Sequence, residues 1–209
     1  MTDGEGEQSK PHLRGCARSF KQLSWLVKAD LLRYEGHVGL KGFVRHFVFT
    51  PGFRYSTWMR LTGYLKQHPT LRVALYPLAK LYLLRLRYKF GIAIPEYTEV
   101  GPGLFINRFG GIYINGDVVI GSNVNLTHGV MLGANNRGKK RGCPVIGDRV
   151  FLAAGAKVIG AVTVGDGAVI GANAMVIDDV PPNGVMAAPP ARLISERGSE
   201  GYINRQVQI

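Results

Sequence analysis

The run NLTHGVMLG sets a single histidine, His128, among aliphatic residues. Five histidines occur in the chain, His12, His37, His46, His68 and His128, and only the last lies beyond residue 91. Imidazole titrates near neutrality, so a histidine held on a firm support can take a proton from a hydroxyl group. The loop that follows, NNRGKKRGCP, brings Arg137, Lys139, Lys140 and Arg141 together between glycines. Such a loop is usually just solvated, yet flexible cations of this kind can also follow phosphate groups. Cys143 closes the loop, and a thiolate there would be a nucleophile. With no histidine near it in sequence, a packing role suits it better.

A repeat positions these residues. Aliphatic beats fall at Val100, Ile106, Ile114, Ile120, Leu126, Leu132, Ile146, Leu152, Val158, Val164, Ile170 and Val176. They lie six apart, except for eight between 106 and 114 and fourteen between 132 and 146. Four residues after most beats comes a second small or aliphatic residue, as at Val124, Val130, Ala156 and Val162. The residue just after the beat is often Gly or Asn, as at Gly101, Asn107, Gly121 and Gly165. Those types tolerate a left-handed backbone at a tight corner. No α-helix keeps apolar residues on one side with that period. Each hexad is a short strand plus a corner, and three of them close one coil of a parallel β-helix. His128, two residues past the beat Leu126, then stands on an outward corner. Arg108 precedes it by 20 residues, three hexads plus the two extra after Ile112. That spacing predicts the same corner one coil earlier, about 5 Å away along the axis.

The first half has helical spacing. SFKQLSWLVKADLLRY, GLKGFVRHFVF, FRYSTWMRLTGYLKQ and LRVALYPLAKLYLLRLRYKF read as four helices, with Pro51-Gly52 stopping the second and Pro77 kinking or starting the last.

Three segments carry a family resemblance: GPGLFINRFGGIYINGDVVIGSNVNLTHGVMLG, the loop NRGKKRGCP, and VIGDRVFLAAGAKVIG through VPPNGVMAAPPARLI. They resemble the hexapeptide-repeat acyltransferases, in the serine acetyltransferase branch. The run holding KADLLRYEG and TPGFRYSTWMRLTGYL resembles members associated with capsule and lipopolysaccharide synthesis. The resemblance implies an α+β fold in which helices precede a left-handed β-helix, an exception to the usual crossover hand. It implies trimers, with acetyl-CoA as acetyl donor in the groove between neighbouring prisms and no metal. The limits expected are a tail over 1–16, a helical domain over 17–92, the β-helix over 93–194 and a second tail over 195–209.

The same resemblance assigns site residues. Gly133, Ala154, Gly155 and Ala172 would border the pantetheine arm, and Lys139, Lys140 and Arg192 would meet the phosphates. Asn107, Arg108 and Cys143 would face the acceptor. Several positions depart from the family. Arg108 stands where its catalytic histidine stands, Asn107 where an aspartate precedes that histidine, and Ala93 where a carboxylate orients it. Cys143 replaces a histidine that contacts the serine carboxylate, and Ala188 replaces a glycine. The expectation is therefore that the base sits one coil along, at His128, and that the acceptor is a sugar hydroxyl of a surface polysaccharide or its precursor. Serine O-acetylation in cysteine biosynthesis is the alternative; a non-catalytic scaffold is another. A β-helical carbonic anhydrase needs three metal-binding histidines per site and is excluded by the single histidine in the repeat.

Bulk properties agree with a folded enzyme of this size. Two cysteines give no disulfide framework and suggest a reducing, cytoplasmic setting. MTDGEGEQSK lacks the basic and then apolar start of a signal peptide. The net charge of +12 sits mostly in residues 1–99, which hold 16 Lys and Arg against 7 Asp and Glu. No nucleic-acid-binding motif accompanies it. Basic helices rich in Trp, Tyr and Leu suit a solvated face equally with peripheral contact at the inner face of the membrane.

Overall fold

The computed structural model describes residues 15–188. Five helices come first: α1 (Phe20–Glu35), α2 (Leu40–Phe49), α3 (Pro51–Gln67), α4 (Pro69–Ala74) and α5 (Tyr76–Phe90). Ser19 caps α1, its hydroxyl accepting from Gln22 N–H, and Gly36 ends it in the left-handed region. Pro51 does more than stop α2, because it opens α3 in the first turn, where a missing N–H costs nothing. The expected fourth helix is two: the chain breaks at Leu75, and Pro77 lies in the first turn of α5. Among the described residues no helix is long and apolar enough to cross a membrane.

Fourteen short strands follow and wind into a prism with three parallel faces. The first face holds β1 (Ile92–Ala93), β4 (Ile112–Ile114), β7 (Met131–Gly133), β10 (Lys157–Ile159) and β13 (Met175–Val176). The second holds β2 (Glu99–Val100), β5 (Val119–Ile120), β8 (Val145–Ile146) and β11 (Thr163–Val164). The third holds β3 (Phe105–Ile106), β6 (Asn125–Leu126), β9 (Phe151–Leu152), β12 (Val169–Ile170) and β14 (Val185–Met186). This is the left-handed parallel β-helix. All twelve beats are buried in its core, as are the second positions such as Val124, Val130 and Ala156. Ile92, Ile94 and Ile112 belong to the same stack, so the prism begins at Ile92.

The glycines after the beats have a different cause from the one expected. The left-handed residues lie three after the beat, at Gly103, Asn123, Gly129, Arg149, Gly155, Gly167 and Asn173. At Gly121 and Gly165 the demand is close stacking: a Cβ would lie 2.7 Å from the Gly147 carbonyl and 2.4 Å from Pro182 N.

A stack of coils must end, and its first coil offers unpaired backbone groups to whatever lies above. The helices answer them one by one. Asp30 accepts from Gly103 N–H (3.1 Å) and Leu104 N–H (2.9 Å). Arg60 donates to the Val100 carbonyl (3.1 Å) and the Gly101 carbonyl (2.7 Å). The Tyr55 hydroxyl donates to Ile94 O and accepts from Ile94 N, and Tyr34 does the same at Ile106. Tyr55, Met59, Leu83, Leu86 and Phe90 pack directly on the aliphatic stack, so helices and prism share one core. Gly15 and Cys16, expected in the N-terminal tail, belong to this packing: Gly15 N–H donates to Tyr97 O and Cys16 is buried. The second expected tail and Arg192 lie outside the described residues.

Candidate active site

The corner between the third and first faces carries the histidine. Register fixes the stack: Ile106 pairs with Leu126, Leu126 with Leu152, and Leu152 with Ile170. Two residues past each beat, His128, Ala154 and Ala172 follow one another down this corner, while the pairing of Gly129 with Gly110 sets Gly110 over His128 and leaves Arg108 in the two-residue bulge just before it. Successive coils lie about 4.8 Å apart in such stacks. Backbone rungs hold the corner: Gly129 N–H to Gly110 O, Gly155 N–H to His128 O, and Asn173 N–H to Ala154 O, at 2.9, 2.9 and 2.8 Å. His128 therefore has a rigid base and an exposed ring, and Arg108 and Asn107 are exposed beside it. Among the described residues no side chain hydrogen-bonds the ring, so what orients it in the reacting state lies beyond this one chain's described contacts.

Below His128 the corner is bare. Ala154 and Ala172 leave the backbone open to a slender chain approaching from outside. Gly155 has a stricter reason to be glycine, since its φ is +70° and a Cβ would meet Asn173 Oδ1 at 2.1 Å. Gly133 is different, because a Cβ there would meet side chains and no backbone, the tip of Met131 at 3.2 Å and Ile159 at 3.9 Å. The chain's own packing does not demand it.

The basic loop leaves from the far end of the first face. Asn135 and Gly142 bridge its two arms in antiparallel fashion, with both hydrogen bonds at 2.9 Å. Lys139 is exposed, but Lys140 is tied back to Asp179 (2.7 Å) and its carbonyl accepts from Ala161 N–H. Cys143 sits at this same corner, over Asp117 in the register set by Val119 and Val145, and packs against the core. Burial, with Asp117 second, pushes its thiol up from the ordinary range, which disfavours a nucleophilic thiolate. Within one chain, then, Asn107, Arg108 and His128 come together with Ala154, Gly155 and Ala172. Cys143, Gly133, Lys139 and Lys140 gather at the opposite edge of the first face.

One residue beside the histidine went unread in the sequence. Among the described residues, Thr127 Oγ1 is buried without a hydrogen-bond partner. Its signal was its place, one after a beat, where sister positions carry Gly or Asn.

Comparison with known proteins adds the family context. Residues 143–178 match the bacterial transferase hexapeptide (six repeats) family. The chain is 36% identical over 136 residues to a serine acetyltransferase of Helicobacter pylori, covering 65% of this chain and 80% of that protein. A serine acetyltransferase of Bacillus subtilis is 35% identical over 146 residues, 70% of this chain and 67% of its own. Among solved structures, Neisseria gonorrhoeae serine acetyltransferase in complex with serine superposes with a TM-score of 0.65 at 30% identity, covering 83% and 69% of the two chains. A serine acetyltransferase in complex with CoA superposes with a TM-score of 0.64 at 27% identity, covering 83% and 70%. These likenesses overturn the sugar hydroxyl of a surface polysaccharide as the expected acceptor. The relatives are serine acetyltransferases, and the substitutions at Asn107, Arg108 and Cys143 did not move the chain out of their company.

Proposed function

We propose, from the premise that this chain belongs to the hexapeptide-repeat transferases and within them to the serine acetyltransferase family, that it is an O-acetyltransferase carrying acetyl from acetyl-CoA to the hydroxyl of L-serine, with His128 as general base. The single observation behind the base is the stack at the corner, where the exposed imidazole lies beside the bulge that carries Arg108 and above the bare Ala154 and Ala172.

In this reading the His128 ring takes the hydroxyl proton as the serine oxygen bonds to the thioester carbonyl carbon. When the carbon–sulfur bond breaks, the imidazolium returns that proton to the departing sulfur. Arg108 holds the serine carboxylate by a charge-assisted pair, a task for which a guanidinium fork is well shaped. Ala154, Gly155 and Ala172 give the pantetheine arm its approach to backbone amides, while Lys139 is the freer cation for phosphate.

A three-fold assembly completes the site. The first face leaves Tyr113, Met175 and Ile177 more than half exposed, with Lys157 in the same outward row, and a neighbouring prism would cover it. The loop around Lys139 and Cys143 in one chain would then meet the His128 corner of the next, joining the two groups that one chain keeps apart.

Incubating the protein with acetyl-CoA and L-serine, and following free thiol and O-acetylserine, tests this reading. Ethanolamine, which keeps the amine and hydroxyl but lacks the carboxylate, should be a much poorer acceptor. Binding of acetyl-CoA with no acetyl reaching serine would overturn the proposal in favour of a non-catalytic scaffold.

A further inference from the structure

Residues 36–95 contain ten Lys and Arg and not one Asp or Glu. Part of this stretch is α5, which is apolar on two sides. Leu83, Leu86 and Phe90 go into the shared core, and Ala79 is buried on the same side. The opposite side faces water with Leu78 67%, Leu81 66% and Tyr88 78% exposed, and Leu84 beside them. Arg85 and Lys89 lie along the same side, and together these residues line a shallow groove of about 970 Å³. The spacing 78, 81, 85, 88 keeps them on one helical stripe.

Large side chains so exposed on one helix mark a surface that is covered in use. The charge selects the cover. A second copy applied face to face would set Arg85 and Lys89 against their own counterparts, with no acidic residue in the segment to offset them. A surface that is apolar within and anionic without satisfies both halves of the stripe. We propose that the outward face of α5 docks on an anionic lipid surface, with Leu78, Leu81, Leu84 and Tyr88 reaching into the headgroup layer and Arg85 and Lys89 against lipid phosphates. This places the protein on a membrane, not across it, and it stands independently of the acceptor and of His128.

Co-sedimentation of the full chain with vesicles of phosphatidylglycerol and phosphatidylcholine, against vesicles of phosphatidylcholine alone, tests it. The chain should pellet with the anionic vesicles, and high salt should release it. Arg85→Gln and Lys89→Gln should each weaken binding by about five-fold. Leu81→Gln should weaken it at low salt without any change of charge, and circular dichroism should show all three variants folded. Equal binding to neutral and anionic vesicles, or none to either, would overturn the proposal. So would a larger particle in vesicle-free light scattering that Leu81→Gln returns to the smaller size, since the stripe would then be a protein interface.

Discussion

His128 and Arg108 share one corner of the prism: the pairing of Gly129 with Gly110 sets Gly110 over His128, and Arg108 leaves the chain from the two-residue bulge just before it. Two cation-forming side chains so placed would repel if both were charged. A substrate carboxylate paired with Arg108 would lie at the same corner as the imidazole. The pairing thus ties the choice of acceptor to the choice of base.

Replacing Arg108 by Ala should raise the KM for L-serine by ten-fold or more, roughly 1.4 kcal/mol, with a smaller effect on kcat. Arg108→Lys should recover only part, since an ammonium cannot make the bidentate contact. Steady-state kinetics with serine varied and acetyl-CoA saturating would show it. An unchanged KM in Arg108→Ala removes the carboxylate contact.

Much of the architecture could be read in advance because one residue in six must fill a narrow prism, and a period that long has no helical explanation. Val100 through Val176 are buried where the beats put them. The role of the glycines was harder to read. A left-handed φ and a close coil-to-coil approach both select glycine, so sequence could not tell Gly155, which needs the first, from Gly121, which needs the second. The joint between helices and prism was invisible for another reason. Asp30 and Arg60 are 30 residues apart and belong to no local pattern. Departures at Asn107, Arg108 and Cys143 argue against serine as acceptor only if the three residues line one pocket of one chain. In the single chain Cys143 lies at a different corner from the other two.

The Asp30–Arg60 pair is buried on both sides, with contacts of 2.8 and 2.9 Å. Asp30→Ala should cost about 3–5 kcal/mol, because it strands a buried guanidinium and two amides of the first coil. Asp30→Asn retains an acceptor for Gly103 and Leu104 and should cost less. Urea unfolding of both variants would rank them, and equal losses would mean that the amide contacts contribute nothing.

Arg149 holds a φ of +56°, a conformation its sister positions give to Gly or Asn. Its ion pair among the described residues, to Asp166 at 4.0 Å, is exposed and contributes little. Arg149→Gly should therefore stabilise the protein by roughly 1 kcal/mol, whereas Gly165→Ala, with a Cβ 2.4 Å from Pro182 N, should destabilise it. Thermal midpoints that move in the opposite directions would refute the account of the corners.

Glu96 is buried, which works against its charge, yet the Lys80 ammonium (2.5 Å), its own backbone amide and the Tyr76 hydroxyl (3.0 Å) hold it below the ordinary carboxylate range. A depressed folded-state pKa adds stability that is present above the unfolded value, near ~4.3, and is lost as pH falls through the folded value. Stability measured in urea should fall across that acid window, and Glu96→Gln should flatten the fall. A wild-type profile equally flat would show that the cluster is not linked to folding.

The most direct test of the catalytic account is the rate of acetyl transfer to L-serine by His128→Ala, measured beside its affinity for acetyl-CoA. Loss of a positioned general base should lower kcat by roughly 10²–10⁴-fold while donor binding stays within about two-fold, a change worth under ~0.5 kcal/mol. A variant that folds, binds acetyl-CoA and acetylates serine at the wild-type rate would contradict it.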